Sequence, residues 1–228
     1  MLRIALAGRD VVLHASGAAF LSEDSTLLIA DAHFGKAVSF RKLGVPVPQG
    51  TTSETLRKLS GAIADTGARR VVFLGDFLHS ARSHAAPTLA AVHAWRDAHV
   101  DVDLTLVRGN HDDRAGDPPA TLGVRVVDEP LALGPFALCH HPKPVGGMYV
   151  LAGHWHPCIS VGGRRFERLR LPCFWLGDDS GAMPGQAVGI LPAFGSFTGM
   201  HRIDPRAGDR IYPIADGTVR AIPALPVP

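Results

Sequence analysis

The stretch Thr26-Leu-Leu-Ile-Ala-Asp-Ala-His33 decides how this chain is read. An apolar run of this length, bounded by polar residues, reads as a strand buried on both faces. Asp31 falls where the run ends, and His33 lies two residues on, so both can face the same way. The same construction returns twice. Arg70-Val-Val-Phe-Leu74 leads into Gly75-Asp76, and Asp103-Leu-Thr-Leu-Val107 leads into Gly109-Asn110-His111-Asp112. His140, after Phe136-Ala-Leu-Cys139, and Gly153-His154-Trp155-His156 bring the blocks to five in order. Strand ends carrying Asp, Asn and His deliver hard and borderline metal ligands to one edge of a sheet. This is the ligand set of a two-metal site, and two-metal sites hydrolyse phosphoesters. One such block is an ordinary turn; five in order are hard to obtain by chance.

Between these strands the periodicity turns helical. Thr51-x-x-Glu54 has the form of a capping box. Leu56, Leu59 and Ile63 recur at helical spacing, and Gly67 is a natural C-terminal stop. Pro87 suits the first turn of a second helix, with Leu89, Val92 and Trp95 on one face. Alternation of strand and helix implies right-handed crossovers and a largely parallel sheet. Upstream, residues 2–7 and 11–14 read as short strands around Gly8-Arg9-Asp10. After residue 120, short alternating strands separated by Gly and Pro predict an antiparallel or mixed second sheet without a helix. The expectation is an α/β fold of two sheets with helices on the outer face of at least one. Residues 1–228 are expected to form a single domain, with the tail at Pro223, Pro226 and Pro228 frayed.

A chain of 228 residues can bury a full core, and 25 Gly with 18 Pro favour strands and turns over a helical bundle. The net charge of +2 permits an anionic substrate without demanding one. Cys139, Cys158 and Cys173 form no CxxC pair, which predicts a reducing cytoplasmic setting. The opening MLRIALAGRD is broken by Arg9 and Asp10 and is too short for a secretion signal. No run approaches the roughly 18 apolar residues needed to span a membrane. The chain lacks the GxxxxGK[ST] phosphate loop, and Gly195-Ser-Phe-Thr-Gly199 sets its serine in the wrong place for a nucleophile elbow.

Each block suggests a role. A carboxylate at Asp76 can bridge two cations, one on each oxygen, and Asn110 offers an amide oxygen without adding charge. His140 is preferred to His141 because it follows the strand directly, leaving His141 to point the other way. His154 and His156 can each serve a different metal. Two cations about 3.5–4 Å apart would hold a bridging water as hydroxide and clamp the phosphoryl oxygens. His111 sits beyond the strand end with a separate, catalytic task. Asp112 is expected to accept its hydrogen bond and fix its tautomer, and His111 to donate to the leaving-group oxygen or stabilise phosphoryl charge. Lys36 and Arg41 are candidate phosphate contacts, and His79, with Ser80, is a candidate for lining the pocket. His14, His84, His93, His99 and His201 have no ligand-like spacing and read as surface or core residues. Arg164, Phe166, Arg168 and Arg170 share one parity on an expected strand; protection of an edge by charge is preferred there over a nucleic-acid stripe.

These motifs also carry a resemblance. D-x-H at 31–33, GD at 75–76, GNHD at 109–112, the strand-end His140 and GHxH at 153–156 resemble the calcineurin-like metallophosphoesterases across residues 27–156. The resemblance implies a four-layer α/β/β/α sandwich of two mixed sheets holding two divalent ions, Mn²⁺ first and Fe²⁺ or Zn²⁺ as alternatives. It implies that Asp31, His33, Asp76 and His156 hold one ion, and Asp76, Asn110, His140 and His154 the other. Asp31-Ala-His-Phe-Gly-Lys36, Leu43-Gly-Val-Pro-Val-Pro48, Gly75-Asp-Phe-Leu-His-Ser80 and Leu191-Pro-Ala-Phe-Gly-Ser-Phe-Thr-Gly199 are similar to the bacterial PdeM group. Those are ligase-associated phosphoesterases, known as DNA damage response endonucleases. This narrower resemblance implies a phosphodiesterase or nuclease acting on nucleic acid or cyclic nucleotides, in DNA repair beside an ATP-dependent DNA ligase and a helicase. A phosphomonoesterase on the same fold is the alternative. A non-catalytic scaffold is disfavoured, because every ligand position and His111 are filled.

Overall fold

A computed structural model describes residues 1–48, 50–162, 169–178 and 187–222. The first sheet runs in chain order: β1 (Leu2–Leu6), β2 (Arg9–Leu13), β3 (Ala19–Leu21), β4 (Thr26–Ile29), β5 (Arg70–Leu74), β6 (Asp103–Val107) and β7 (Val124–Val127). Strands β1 to β4 pair antiparallel, and β4 to β7 pair parallel. The sheet is therefore mixed: its parallel part is the portion with helical crossovers, as alternation predicted. Between the strands lie α1 (Lys36–Lys42), α2 (Thr51–Thr66), α3 (Ala86–Asp97) and α4 (Asn110–Ala115).

The apolar runs are explained by what covers each face. Leu27, Ile29, Val71, Phe73, Leu104 and Leu106 pack with Leu56, Leu59, Ala62 and Ile63 of α2 and with Val92 and Trp95 of α3. Their neighbours Leu28, Ala30, Val72, Leu74 and Val107 point to the opposite face and pack against the second sheet. A strand buried on both sides can carry no alternation, so it reads as a continuous apolar run.

The second sheet comprises β8 (Leu131–Leu133), β9 (Phe136–Leu138), β10 (Tyr149–Ala152), β11 (Pro157–Val161), β12 (Leu169–Leu176), β13 (Val188–Ile190), β14 (His201–Arg202), β15 (Arg210–Ala215) and β16 (Thr218–Val219). Its order is β14-β11-β12-β13-β10-β9-β8, with β15 pairing β12 and β16. Parallel pairs (β9 with β10, β10 with β13) and antiparallel pairs (β11 with β12, β12 with β13) make it mixed too. Phe136, Leu138, Tyr149, Leu151, Phe174 and Leu176 form its half of the intersheet core. All α-helices among the described residues precede residue 116. In a separate cluster of the second sheet, Val145 and Met148 pack against Ala137, Cys139, Val150 and Ala152. The basic stripe expected at Arg164, Phe166 and Arg168, and the tail at Pro223, Pro226 and Pro228, lie outside the described residues.

One helix start departs from expectation. The N-cap of α2 is Gly50, in the left-handed region at φ 83°, with no side-chain cap. The helix thus begins one residue too early for Thr51 and Glu54 to form their capping box. Gly67 at φ 67° ends it as anticipated. No helix among the described residues is long and apolar enough to cross a membrane.

Candidate metal centre

The parallel strands β4, β5 and β6 end together, and their continuations turn sharply. Asp31 (φ 53°), His33 (47°), Asp76 (53°), His154 (71°) and His156 (47°) are all left-handed. They are five of the eight non-glycine residues in that region among the described residues. Each such turn costs roughly 1–2 kcal/mol without a glycine, and strain of this kind gathers where side chains must be aimed. Glycine before a ligand serves close approach. A Cβ at Gly75 would overlap the His140 ring, and one at Gly153 would stand 2.6 Å from Asp31 Oδ2.

The aim is common. Asp31 Oδ2 accepts from the His154 amide at 2.9 Å, which leaves Oδ1 buried without a hydrogen-bond partner. That Oδ1 lies 3.5 Å from His156 Nε2. Asp76 Oδ1 accepts from the His111 amide at 2.9 Å and lies 3.5 Å from His140 Nε2, while its Oδ2 is 3.7 Å from His33 Nε2. His140 Nδ1 donates to the Leu74 carbonyl at 3.0 Å, which commits that nitrogen and turns Nε2 to the site. That nitrogen faces Asn110 Oδ1 at 2.9 Å and His154 Nδ1 at 3.0 Å. His156 Nδ1 donates to the Gly199 carbonyl at 3.1 Å, leaving its Nε2 toward Asp31.

The protonation states suit cations. Burial pushes His33 well below its ordinary value, helped by Lys36 and the neighbouring imidazoles. Burial, then His140 and His141, pushes His154 down to about 4, so both rings are neutral bases at pH 7. Asp76 is raised, chiefly by burial, with His140 opposing and Asp31 adding repulsion. Two carboxylates at 0 % and 2 % exposure, orphaned lone pairs and neutral imidazoles converge here. Buried charge of this kind needs a counter-ion. The arrangement fits two adjacent divalent ions: Asp31, His33 and His156 form one cluster of close donor atoms, and Asp31, Asp76 and His140 another. Cys139, Cys158 and Cys173 are buried free thiols and belong to none of these clusters.

The other candidates divide. His111 Nδ1 donates to the His79 carbonyl at 2.7 Å, and its ring stacks on that of His79 at 4.7 Å. The expected Asp112–His111 bond is therefore not formed. Asp112 is fully buried, and its two oxygens accept from the Leu78 amide (3.2 Å) and the Gly109 amide (3.0 Å). It braces the loop that carries Asn110 and His111, and burial raises it to about 6. His79 forms a cluster with His33 and His111, and burial, Lys36 and His111 push it down to about 4. Lys36 is half-buried, feels both Asp31 and Asp76, and lines a small cavity behind His33. Arg41 turns away: its guanidinium donates to the Pro48 carbonyl at 3.1 Å and ties down the following loop. His141 comes nearer than expected, its ring 4.8 Å from that of His154, and pairs with Glu129 at 2.8 Å.

Sequence reasoning missed three features. Glu129 Oε2 accepts from the amides of His140 (2.8 Å) and His141 (2.9 Å), fixing the strand end that carries His140. The segment 191–199 braces the first block: Phe194 and Gly195 donate to the Ala30 and Asp31 carbonyls at 2.8 and 3.1 Å. His201, read as a surface residue, lines a cavity of about 630 Å³ together with Asn110, His111, His154, Trp155 and Arg202. A lone histidine and a lone carboxylate give no signal until the chain folds.

Comparison with known structures finds the Pseudomonas putida nuclease MPE, which superposes with a TM-score of 0.83 at 41% sequence identity over 97% of this chain and 99% of that one. A protein of unknown function from Aquifex aeolicus, AQ665, gives 0.38 at 17% identity over 61% of this chain and 81% of its own. Yfce, a phosphoesterase from E. coli, gives 0.39 at 14% identity over 86% and 97%. No protein-family model matches the chain, and no curated protein does.

Proposed function

This chain belongs to the calcineurin-like metallophosphoesterases, in the group of the Pseudomonas putida nuclease, and from that premise we propose that it is a dinuclear phosphodiesterase cleaving nucleic acid. It is a metal-dependent phosphoesterase; the proposal concerns its ligand roles, substrate, metal and setting. The carrying observation is the meeting of His140 Nε2, Asn110 Oδ1 and His154 Nδ1 at 2.9–3.0 Å, beside a cavity that Asn110 and His154 line. An amide oxygen and two imidazole nitrogens this close offer the oxygen and nitrogen donors that a divalent ion takes.

Asp31, His33, Asp76 and His156 would hold one ion, and Asp76, Asn110, His140 and His154 the other. Bound, the two ions supply a hydrolytic nucleophile at neutral pH and positive charge against the phosphoryl oxygens. Oxygen and imidazole donors without thiolate suit Mn²⁺, with Fe²⁺ or Zn²⁺ as alternatives. His111, with Nδ1 committed to the His79 carbonyl, delivers a proton from Nε2 to the leaving oxygen when it carries both protons. His79, stacked on it, holds the ring in that direction. Lys36 offsets part of the buried negative charge. Action on DNA beside an ATP-dependent ligase and a helicase, in the cytoplasm, completes the reading; co-purification with tagged chain tests the partners.

Chelator-stripped protein restored with Mn²⁺ is expected to prefer bis(p-nitrophenyl) phosphate to p-nitrophenyl phosphate, and to cleave an oligonucleotide. Asp76→Asn should abolish the Mn²⁺-dependent turnover. His111→Ala should slow oligonucleotide cleavage by about 10²-fold or more. Preference for the monoester, or near wild-type activity in either variant, would refute the reading.

A further inference from the structure

Trp155 stands between two candidate ligands, His154 and His156, yet it is 47% exposed. It is the only aromatic residue among the large exposed apolar side chains of the described residues. Part of the indole stays in solvent and part packs on a second tryptophan. Trp175 backs it with ring centroids 5.8 Å apart and planes 36° apart, and Trp175 is anchored by its Nε1–H donating to Asp209 Oδ2 at 2.6 Å.

Both indoles line the cavity of about 630 Å³ that holds the ligands, and both also line an adjoining cavity of about 210 Å³ with Pro142, Pro144 and Arg206. Trp155 is thus a partition between the metal centre and a second recess. The exposed residues His201 and Arg202 also line the larger cavity, with Asp204 beside them. Their strand is tied to the site by the His201 amide, which donates to the His156 carbonyl at 2.9 Å. A flat apolar ring, a guanidinium and an imidazole beside a phosphoester centre are the parts that hold a nucleotide: the ring takes the base and the cations take phosphate.

We propose that Trp155 is a substrate-positioning residue that stacks on the unpaired nucleobase next to the phosphodiester under attack, while His201 and Arg202 face the adjoining phosphate. The proposal rests on the nucleic-acid diesterase reading and adds its base subsite. A base must leave its own stack to lie on Trp155, so bases free of pairing are favoured, and every base has a face to offer.

The test is stopped-flow anisotropy of a 5′-fluorescein-labelled strand, either a short oligothymidylate or an abasic strand of the same length, mixed with Mn²⁺-loaded protein. Wild type should bind the base-bearing strand about tenfold more tightly. Trp155→Ala should lose that preference and Trp155→Phe should keep most of it. Should the alanine variant unfold, Trp155→Leu, apolar but without a ring, makes the same contrast with Trp155→Phe. Equal binding of the two strands by wild type, or an undiminished preference in Trp155→Ala or Trp155→Leu, would overturn the proposal. Wild-type turnover of bis(p-nitrophenyl) phosphate reads the diesterase separately. Activity without base preference removes the stacking role alone; base preference without activity supports stacking and removes the diesterase.

Discussion

At Gly75 the space allows a hydrogen atom and no more. Its φ of 78° and the His140 ring against its Cα leave no room for a side chain. Gly75→Ala is expected to displace His140 and weaken Mn²⁺ binding by about 10–100-fold, the range seen when the support of a ligand is lost; metal titration calorimetry measures it, and unchanged affinity would contradict the geometry. The same scale shows where a motif misleads. In GNHD the order of residues suggests that Asp112 serves His111, yet its oxygens go to the Leu78 and Gly109 amides, and a backbone carbonyl takes the imidazole proton. Adjacency in sequence does not set direction, because Asp112 and His111 leave the short helix α4 on different sides. Which residues converge was legible at this scale; the hydrogen-bond partner of each was not.

Among the elements, β4, β5 and β6 were legible because a strand covered on both faces must be apolar throughout. The antiparallel strands were harder to place, since their limits are set by pairing partners far along the chain. Helix α2 was legible from Leu56, Leu59 and Ile63 but carries one residue at odds with its place. Lys58 is pushed down to about 8, burial outweighing the help of Glu54, and its ammonium lies 4.2 Å from the centre of the Phe194 ring. A lysine depressed in the fold costs stability at every pH below about 8, and the cost fades as the pH rises toward its unfolded value of about 10.4. Part of that cost is returned by the aromatic ring. Lys58→Met should therefore stabilise the protein at pH 7 by on the order of 1 kcal/mol, with the advantage narrowing above pH 8. Urea unfolding of both proteins at pH 7 and pH 9.5 checks it; a gain that grows with pH would reverse the sign.

For the whole molecule, the metal centre sets function against stability. Asp31 and Asp76 are buried near one another between the two sheets, and without cations their repulsion opposes folding. Mn²⁺ at about 100 times its dissociation constant should add about 2.7 kcal/mol, a rise of roughly 5–10 °C in midpoint for a chain of this size. Asp76→Asn should melt higher than wild type in chelator and respond less to Mn²⁺; thermal scans with and without metal decide it, and a lower midpoint in chelator would show that the carboxylate is not repelled. The sequence alone determined the chemistry and the parallel run of strands around it, because metal ligands and doubly buried strands leave local signatures in residue type and spacing. Only the tertiary structure decided which lone pairs meet, that Arg41 turns away, and that Glu129, Trp155 and His201 join the site. Those depend on where separate strand ends arrive in space, and contacts between His140 and residues as distant as Leu74 are closed by the packing of two sheets rather than by any local pattern.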